Sequence, residues 1–209
     1  MTSSNIRIVL QAAMALAVVG PMIGCSAEVG GEAEVGGEEV GSHDEALSSG
    51  CAPDVPPALA VPDGNKLAFH LDAIGVQIYG CQELPTGFAW VFVAPEAQLF
   101  NGGGRVVGKH YAGPTWEAKD GSKVMGAKVA SFVSSPSSIP WLLLAATSHE
   151  GSGRMSEVTF IQRLDTAGGI APTGGCDADH LGSVARVDYA ATYFFYEARK
   201  EHPEDPREK

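Results

Sequence analysis

Lys66-Leu-Ala-Phe-His-Leu71 and, four residues on, Val76-Gln-Ile-Tyr-Gly-Cys81 decide the fold. In the first run Leu67, Phe69 and Leu71 alternate with Ala68 and His70; in the second Val76, Ile78 and Gly80 alternate with Gln77, Tyr79 and Cys81. A period of two places one set of side chains on one face of an extended chain, which is how a half-buried strand reads. Phe88, Trp90 and Phe92 repeat the pattern against smaller neighbours. Working outward, the same reading predicts strands at 97–101, 105–111, 115–119, 123–133, 141–147, 157–164 and 185–196. The run Pro140-Trp-Leu-Leu-Leu-Ala-Ala-Thr147 fits a buried strand or a short helix equally well. Turn-forming pairs separate the runs: Pro62-Asp-Gly-Asn, Pro85-Thr-Gly, Asn101-Gly-Gly-Gly, Asp120-Gly, Gly151-Ser-Gly, Gly168-Gly and Gly174-Gly. About eight to ten short antiparallel strands at this spacing predict an all-β domain, a single sandwich or a barrel, rather than a sheet built of βαβ units.

The chain before that domain has a different character. Arg7 precedes seventeen residues, Ile8 to Gly24, apolar or small apart from Gln11, and the run ends in Met22-Ile-Gly-Cys25. This resembles an export signal ending in a lipobox, with residues 1–24 removed and Cys25 lipidated. Cleavage after Ala27 to give a secreted protein, and an uncleaved anchor, are the alternatives; Pro21 and the short run weigh against the anchor. Ser26 beside the cysteine favours sorting to an outer membrane, with the domain facing the periplasm or the cell surface. Residues 25–50 then read as a lipidated cysteine and a disordered tether. They contain the repeat Ala27-Glu-Val-Gly-Gly-Glu, Ala33-Glu-Val-Gly-Gly-Glu and seven acids, with no Lys, Arg or aromatic side chain. Such a composition buries too little apolar area to offset ordering entropy, and its self-repelling charge keeps it extended. The expected organisation is completed by a β domain over 51–200 and a charged tail over 201–209.

The formal net charge is −11. The tether carries seven of the acids and Arg7 offsets one, which leaves about −5 on the rest. With no cluster of Lys or Arg outside the tail, nucleic acid is excluded as an expected partner, because polyanion binding needs a basic stripe. The expected partners are the membrane, through the N-terminal lipid, and an unidentified small molecule or envelope component.

Several long motifs occur in a characteristic order: Gly75-Val-Gln-Ile-Tyr-Gly-Cys81, Trp90-Val-Phe-Val-Ala-Pro-Glu-Ala-Gln-Leu-Phe100, Gly108-Lys-His-Tyr-Ala-Gly-Pro-Thr-Trp-Glu117, Asp120-Gly-Ser122, Ile139-Pro-Trp-Leu-Leu-Leu144, and Thr159-Phe-Ile-Gln-Arg-Leu164 through Gly175-Cys-Asp-Ala178. Over Leu59 to Ala198 they resemble the secreted bacterial and fungal family known as domain of unknown function 3455. The resemblance implies an exported β domain with no established activity. Some fungal members carry a malate dehydrogenase label, which this chain does not support: Asn101-Gly-Gly-Gly-Arg-Val-Val-Gly108 does not fit Gly-x-Gly-x-x-Gly between a strand and a helix. Of the four cysteines, Cys81 and Cys176 lie in family-like motifs and Cys51 at the tether's edge. A Cys81–Cys176 disulfide is therefore expected, in an oxidising compartment, as a staple; no Cys-x-x-Cys argues for redox work.

Candidate chemistry concentrates in Lys109-His-Tyr-Ala-Gly-Pro-Thr-Trp-Glu-Ala-Lys-Asp120. A hydrolase would use His110 as general base with Glu117 or Asp120 as orienter or acid, and Tyr111 and Trp116 as binding surfaces. The plainer reading buries Trp116, leaves His110 partly exposed, makes Asp120-Gly a hairpin turn and scatters the polar groups over both faces of the strands. His70-Leu-Asp72 and Cys176-Asp-Ala-Asp-His180 are weaker clusters; Leu181 stands where a calcium loop needs an oxygen ligand, and no pair has zinc spacing, so neither metal nor cofactor is expected. Ser148-His-Glu150 holds triad residue types but adjacent residues rarely converge, and the segment reads as a loop. The balance favours a non-enzymatic binding or surface-structural lipoprotein over a secreted hydrolase-like enzyme.

Overall fold

The structure, a computed structural model, describes residues 52–200. The signal, Cys25, the tether, Cys51 and the tail over 201–209 lie outside the described residues. Eight strands run in chain order: β1 (Asn65–Leu84), β2 (Gly87–Phe100), β3 (Val106–Tyr111), β4 (Thr115–Ala118), β5 (Lys123–Phe132), β6 (Trp141–Glu150), β7 (Val158–Gly168) and β8 (Val184–Ala198). Each pairs antiparallel with its neighbour in sequence, and β8 returns to β1 from Asn65 opposite Ala198 to Gly80 opposite Val184, which closes a barrel. Closure leaves no open sheet edge, so every strand has partners on both sides.

Ten alternating runs become eight strands because two of the expected gaps do not break the chain. Asp72-Ala-Ile-Gly75 continues β1 instead of ending it, and Ala94-Pro-Glu96 continues β2. Gly75 is what permits this: it lies opposite Ala97, and a Cβ there would run into the Glu96 carbonyl oxygen and the Ala97 backbone. Bulges near Tyr79, Phe100, Gly126 and Ala167 supply the bending that a small closed sheet needs. Asp165, in the last of these, is the one non-glycine residue with positive φ, 49°, among the described residues. The 140–147 run resolves as strand β6, and Ser148-His149-Glu150, read from sequence as a loop, extends it. There His149 Nε2 bonds the Val158 carbonyl and Glu150 pairs with Lys123.

The main core fills the barrel at the end where β1 begins and β8 finishes. Phe69, Leu71, Leu99, Trp116, Val124 and Phe195 meet there. The β6–β7 connection folds under that end as a plug, with Met155 fully buried and the Arg154 guanidinium 4.2 Å from the centre of the Phe69 ring. A second apolar cluster lies on the outer wall, where Leu59 from the 3₁₀ turn Pro57–Leu59 packs on Leu143 and Leu164. Gln162 Nε2 donates to the Leu59 carbonyl, so the first described residues strap the barrel from outside. At the opposite end the disulfide Cys81–Cys176 ties the long β7–β8 connection to β1. The Trp90 indole donates to the Gly174 carbonyl of the same connection.

Candidate functional site

Because the large side chains crowd one end, the other end of the lumen stays open. A cavity of about 540 Å³ occupies it, and every one of the eight strands contributes to its wall. Pro95 on β2 and Gly126 on β5 belong to the wall, and at Gly126 a Cβ would come within 3.2 Å of the Trp116 ring. The volume lies within the range of small-molecule sites, which typically combine an apolar wall with a few convergent polar groups. A second hollow of about 610 Å³ lies outside, between the strap and β1. Its buried polar side chains are already satisfied, Tyr196 donating to Gln162 and Gln162 to Leu59, so it offers no comparable recognition chemistry.

The lumen is different. Gln77 Nε2, Trp116 Nε1 and the Tyr193 hydroxyl are buried there without a hydrogen-bond partner among the described residues. Burying such a group unpaired costs about 1–3 kcal/mol, so three in one cavity wall is a marked departure from ordinary cores. All three can donate. The Tyr189 hydroxyl behind them is also unpartnered. Tyr193 lies within weak hydrogen-bonding reach of both Tyr189 and Arg163, yet neither tyrosine hydroxyl makes a bond of normal geometry. Desolvation raises the pKa of both phenols, so they are neutral donors at ordinary pH.

His110 is part of the same wall and is buried, 3 % exposed, not partly exposed as the sequence suggested. Its ring stacks on Trp116 with centroids 4.4 Å apart, and Tyr193 meets it edge-on at 5.1 Å. Nδ1 lies 2.9 Å from the Thr115 carbonyl. A carbonyl only accepts, so Nδ1 carries the proton and Nε2 the lone pair. Burial pushes this imidazole down to about 3, an effect the Thr115 bond opposes and the Arg163 charge reinforces. His110 is therefore uncharged at physiological pH.

Arg163 is half-buried in the wall. Its Nε and Nη2 both donate to the Pro140 carbonyl, at 3.2 and 2.8 Å, which fixes the guanidinium in place. Among the described residues it has no ion pair. Lys128 stands at the rim, and no Asp or Glu lines the cavity.

The five residues singled out in 109–120 do not converge. Alternation sends His110 and Trp116 into the lumen and Tyr111 and Glu117 to the outer face, where the Tyr111 hydroxyl donates to Glu117 Oε2 at 2.8 Å. That bond and the Lys109 ammonium, 3.2 Å from Oε1, hold the Glu117 carboxyl below its usual range. Asp120 lies at the plugged end. Desolvation would raise its pKa, but Ser122 and the Arg154 backbone N–H bond its carboxylate and bring it below the ordinary value. It fixes the plug and lies outside the open cavity. A histidine–carboxylate pair at the base of a pocket, as a hydrolase would need, is not assembled around His110. The weaker clusters are also accounted for: His70 packs on Phe194, Thr192 donates to Asp72, and Asp177 caps the 3₁₀ turn Ala178–His180 and pairs with His180. Sequence reasoning missed Gln77, Arg163 and Tyr193. Their one local signal is a polar group on the inward parity of a strand, a parity they share with Tyr79 on β1 and Tyr189 on β8.

The chain belongs to the family described as protein of unknown function (DUF3455), whose model matches residues 62–197. That span takes in the barrel from just before β1 almost to the end of β8. No curated protein and no solved structure matches the chain.

Proposed function

We propose that this family member is an exported, lipid-anchored envelope protein whose barrel binds a small molecule in its open lumen, without catalysis. The observation that carries the reading is the set of three unpartnered buried donors around one cavity. A fold selected for stability alone would satisfy such groups or replace them by apolar ones of the same shape. The lipid anchor rests on the Ile23-Gly24-Cys25 ending of the apolar run, and the acidic tether would hold the barrel clear of the membrane.

The test of binding uses N-phenyl-1-naphthylamine, an uncharged fluorescent aromatic small enough for the lumen, titrated into the purified full chain. Saturable one-to-one binding with a raised melting temperature is expected. Absence of saturable binding by both this probe and its sulfonated analogue 8-anilinonaphthalene-1-sulfonate refutes the reading. For the anchor, Cys25→Ser should release the protein from membranes; a mature N-terminus at Glu28 without lipid would overturn it.

A further inference from the structure

We propose that the ligand of the lumen is an organic anion: an apolar, aromatic-sized body bearing one carboxylate- or sulfonate-like head that Arg163 recognises. This rests on the binding reading above and adds the charge of the ligand to it.

The argument begins with what a barrel interior tolerates. A guanidinium drawn part-way out of water is ordinarily matched by a carboxylate, because unpaired charge in a poorly solvated site is costly. Arg163 has no such match among the described residues. It lines the lumen beside Gln77, His110, Trp116 and Tyr193. Nor is the group loosely placed. The Pro140 carbonyl takes Nε and Nη2, leaving Nη1 outside that clamp, and Thr166 Oγ1 donates to the adjacent Ile139 carbonyl at 2.6 Å, which holds the Ile139–Pro140 segment to β7. A pre-positioned cation with no counter-charge among the described residues is the arrangement that anion-recognising sites share.

The remaining polar groups agree in sign. Gln77 Nε2, Trp116 Nε1 and the Tyr193 hydroxyl supply neutral donors around the same space. Lys128 adds positive charge at the rim, and no lining residue is acidic. A cationic ligand would meet the positive charges of Arg163 and Lys128 with no carboxylate to offset them, although His110 Nε2 offers it one acceptor. A wholly apolar ligand would leave all three donors unpaired. The apolar part of the ligand has its own surface: Phe92 and Val93 line the mouth and are 51 % and 56 % exposed, and Leu142 and Leu144 continue the wall inward.

The experiment compares 8-anilinonaphthalene-1-sulfonate with N-phenyl-1-naphthylamine, two probes of the same ring framework that differ by the sulfonate, on the full chain and on Arg163→Gln and Arg163→Lys. A charge-assisted contact predicts that the anionic probe binds about tenfold or more tighter than the neutral one. Arg163→Gln should abolish that preference, weakening the anionic probe about tenfold or more relative to the neutral one, and Arg163→Lys should retain a measurable part of it. Gln can still donate to Pro140, and thermal melts of both variants verify that the barrel is intact. If the neutral probe binds and the anionic one is no tighter, or if its advantage survives Arg163→Gln, the anion inference is wrong and the binding reading stands. If neither probe binds the unaltered chain, both are wrong.

Discussion

Tyr193→Phe isolates one of the unpartnered donors. The Tyr193 side chain is 1 % exposed, and its ring packs against His110, against Trp116 at 5.3 Å between centroids and against Phe195 at 6.5 Å. Phenylalanine keeps all three ring contacts and deletes only the hydroxyl. Buried tyrosines usually form a hydrogen bond, and losing it costs about 1 kcal/mol. Here the hydroxyl has none of normal geometry, so its desolvation is uncompensated. Removing it should leave stability unchanged or raise it by about 1 kcal/mol, a rise in melting temperature of roughly 2–4 °C for a domain of this size. On the proposed binding reading the same substitution should weaken binding of an acceptor-bearing probe by about fivefold to tenfold, through the loss of one donor from the cavity wall. Urea titration followed by far-ultraviolet circular dichroism gives the stability, and fluorescence titration the affinity. A loss of stability above about 1 kcal/mol would mean that Tyr193 is bonded within the protein and would remove it from the ligand site.

Other outcomes follow from the same geometry. Cys81→Ser and Cys176→Ser open a loop closed across 95 residues, and each should lower stability by about 4–5 kcal/mol in the chain-entropy model, to similar extents, measured by chemical denaturation. His110, held at about 3 when folded against about 6.5 when unfolded, binds its proton only on unfolding across that window. Stability should therefore fall as pH drops from about 6.5 toward 3, by about 1.4 kcal/mol per pH unit from this group, and His110→Phe should flatten that slope; a signal assigned to the His110 imidazole, by its loss in His110→Phe, that titrates near neutrality in the folded protein would contradict it. Asp120→Ala removes acceptors for Ser122 and Arg154 and should cost about 1–3 kcal/mol, with faster hydrogen exchange confined to the Gly151–Glu157 loop and no change in probe affinity.

The strands were legible because each depends on local alternation, and the turns because Pro85-Thr-Gly and Asp120-Gly carry their own chemistry. Barrel or sandwich was not legible, since inward alternation is the same in both; the difference lies in whether Asn65–Gly80 pairs with Val184–Ala198, a contact across more than half of the described chain. The continuity of β1 was hidden for a related reason. Gly75 reads as a breaker, yet its missing side chain is what lets the strand cross close to Ala97. The site was half legible. His110 and Trp116 stood out in one motif, but a contiguous motif on two strands presents only alternate residues to the lumen, so Tyr111 and Glu117 were carried along to the wrong face. Gln77, Arg163 and Tyr193 are separated by some eighty and thirty residues of chain and become neighbours only when the ring closes.

The central claim, that the open lumen is a ligand site, is tested most directly by the indole N–H resonances of the three tryptophans in a nitrogen-15-labelled chain. Trp116 Nε1 is unpartnered in the cavity wall, whereas the Trp90 indole is engaged by Gly174 and Trp141 packs in the outer cluster. Saturation with 8-anilinonaphthalene-1-sulfonate should shift the Trp116 cross-peak and leave the Trp141 cross-peak in place. A probe that binds while the Trp116 resonance does not move would place the ligand elsewhere and contradict the account.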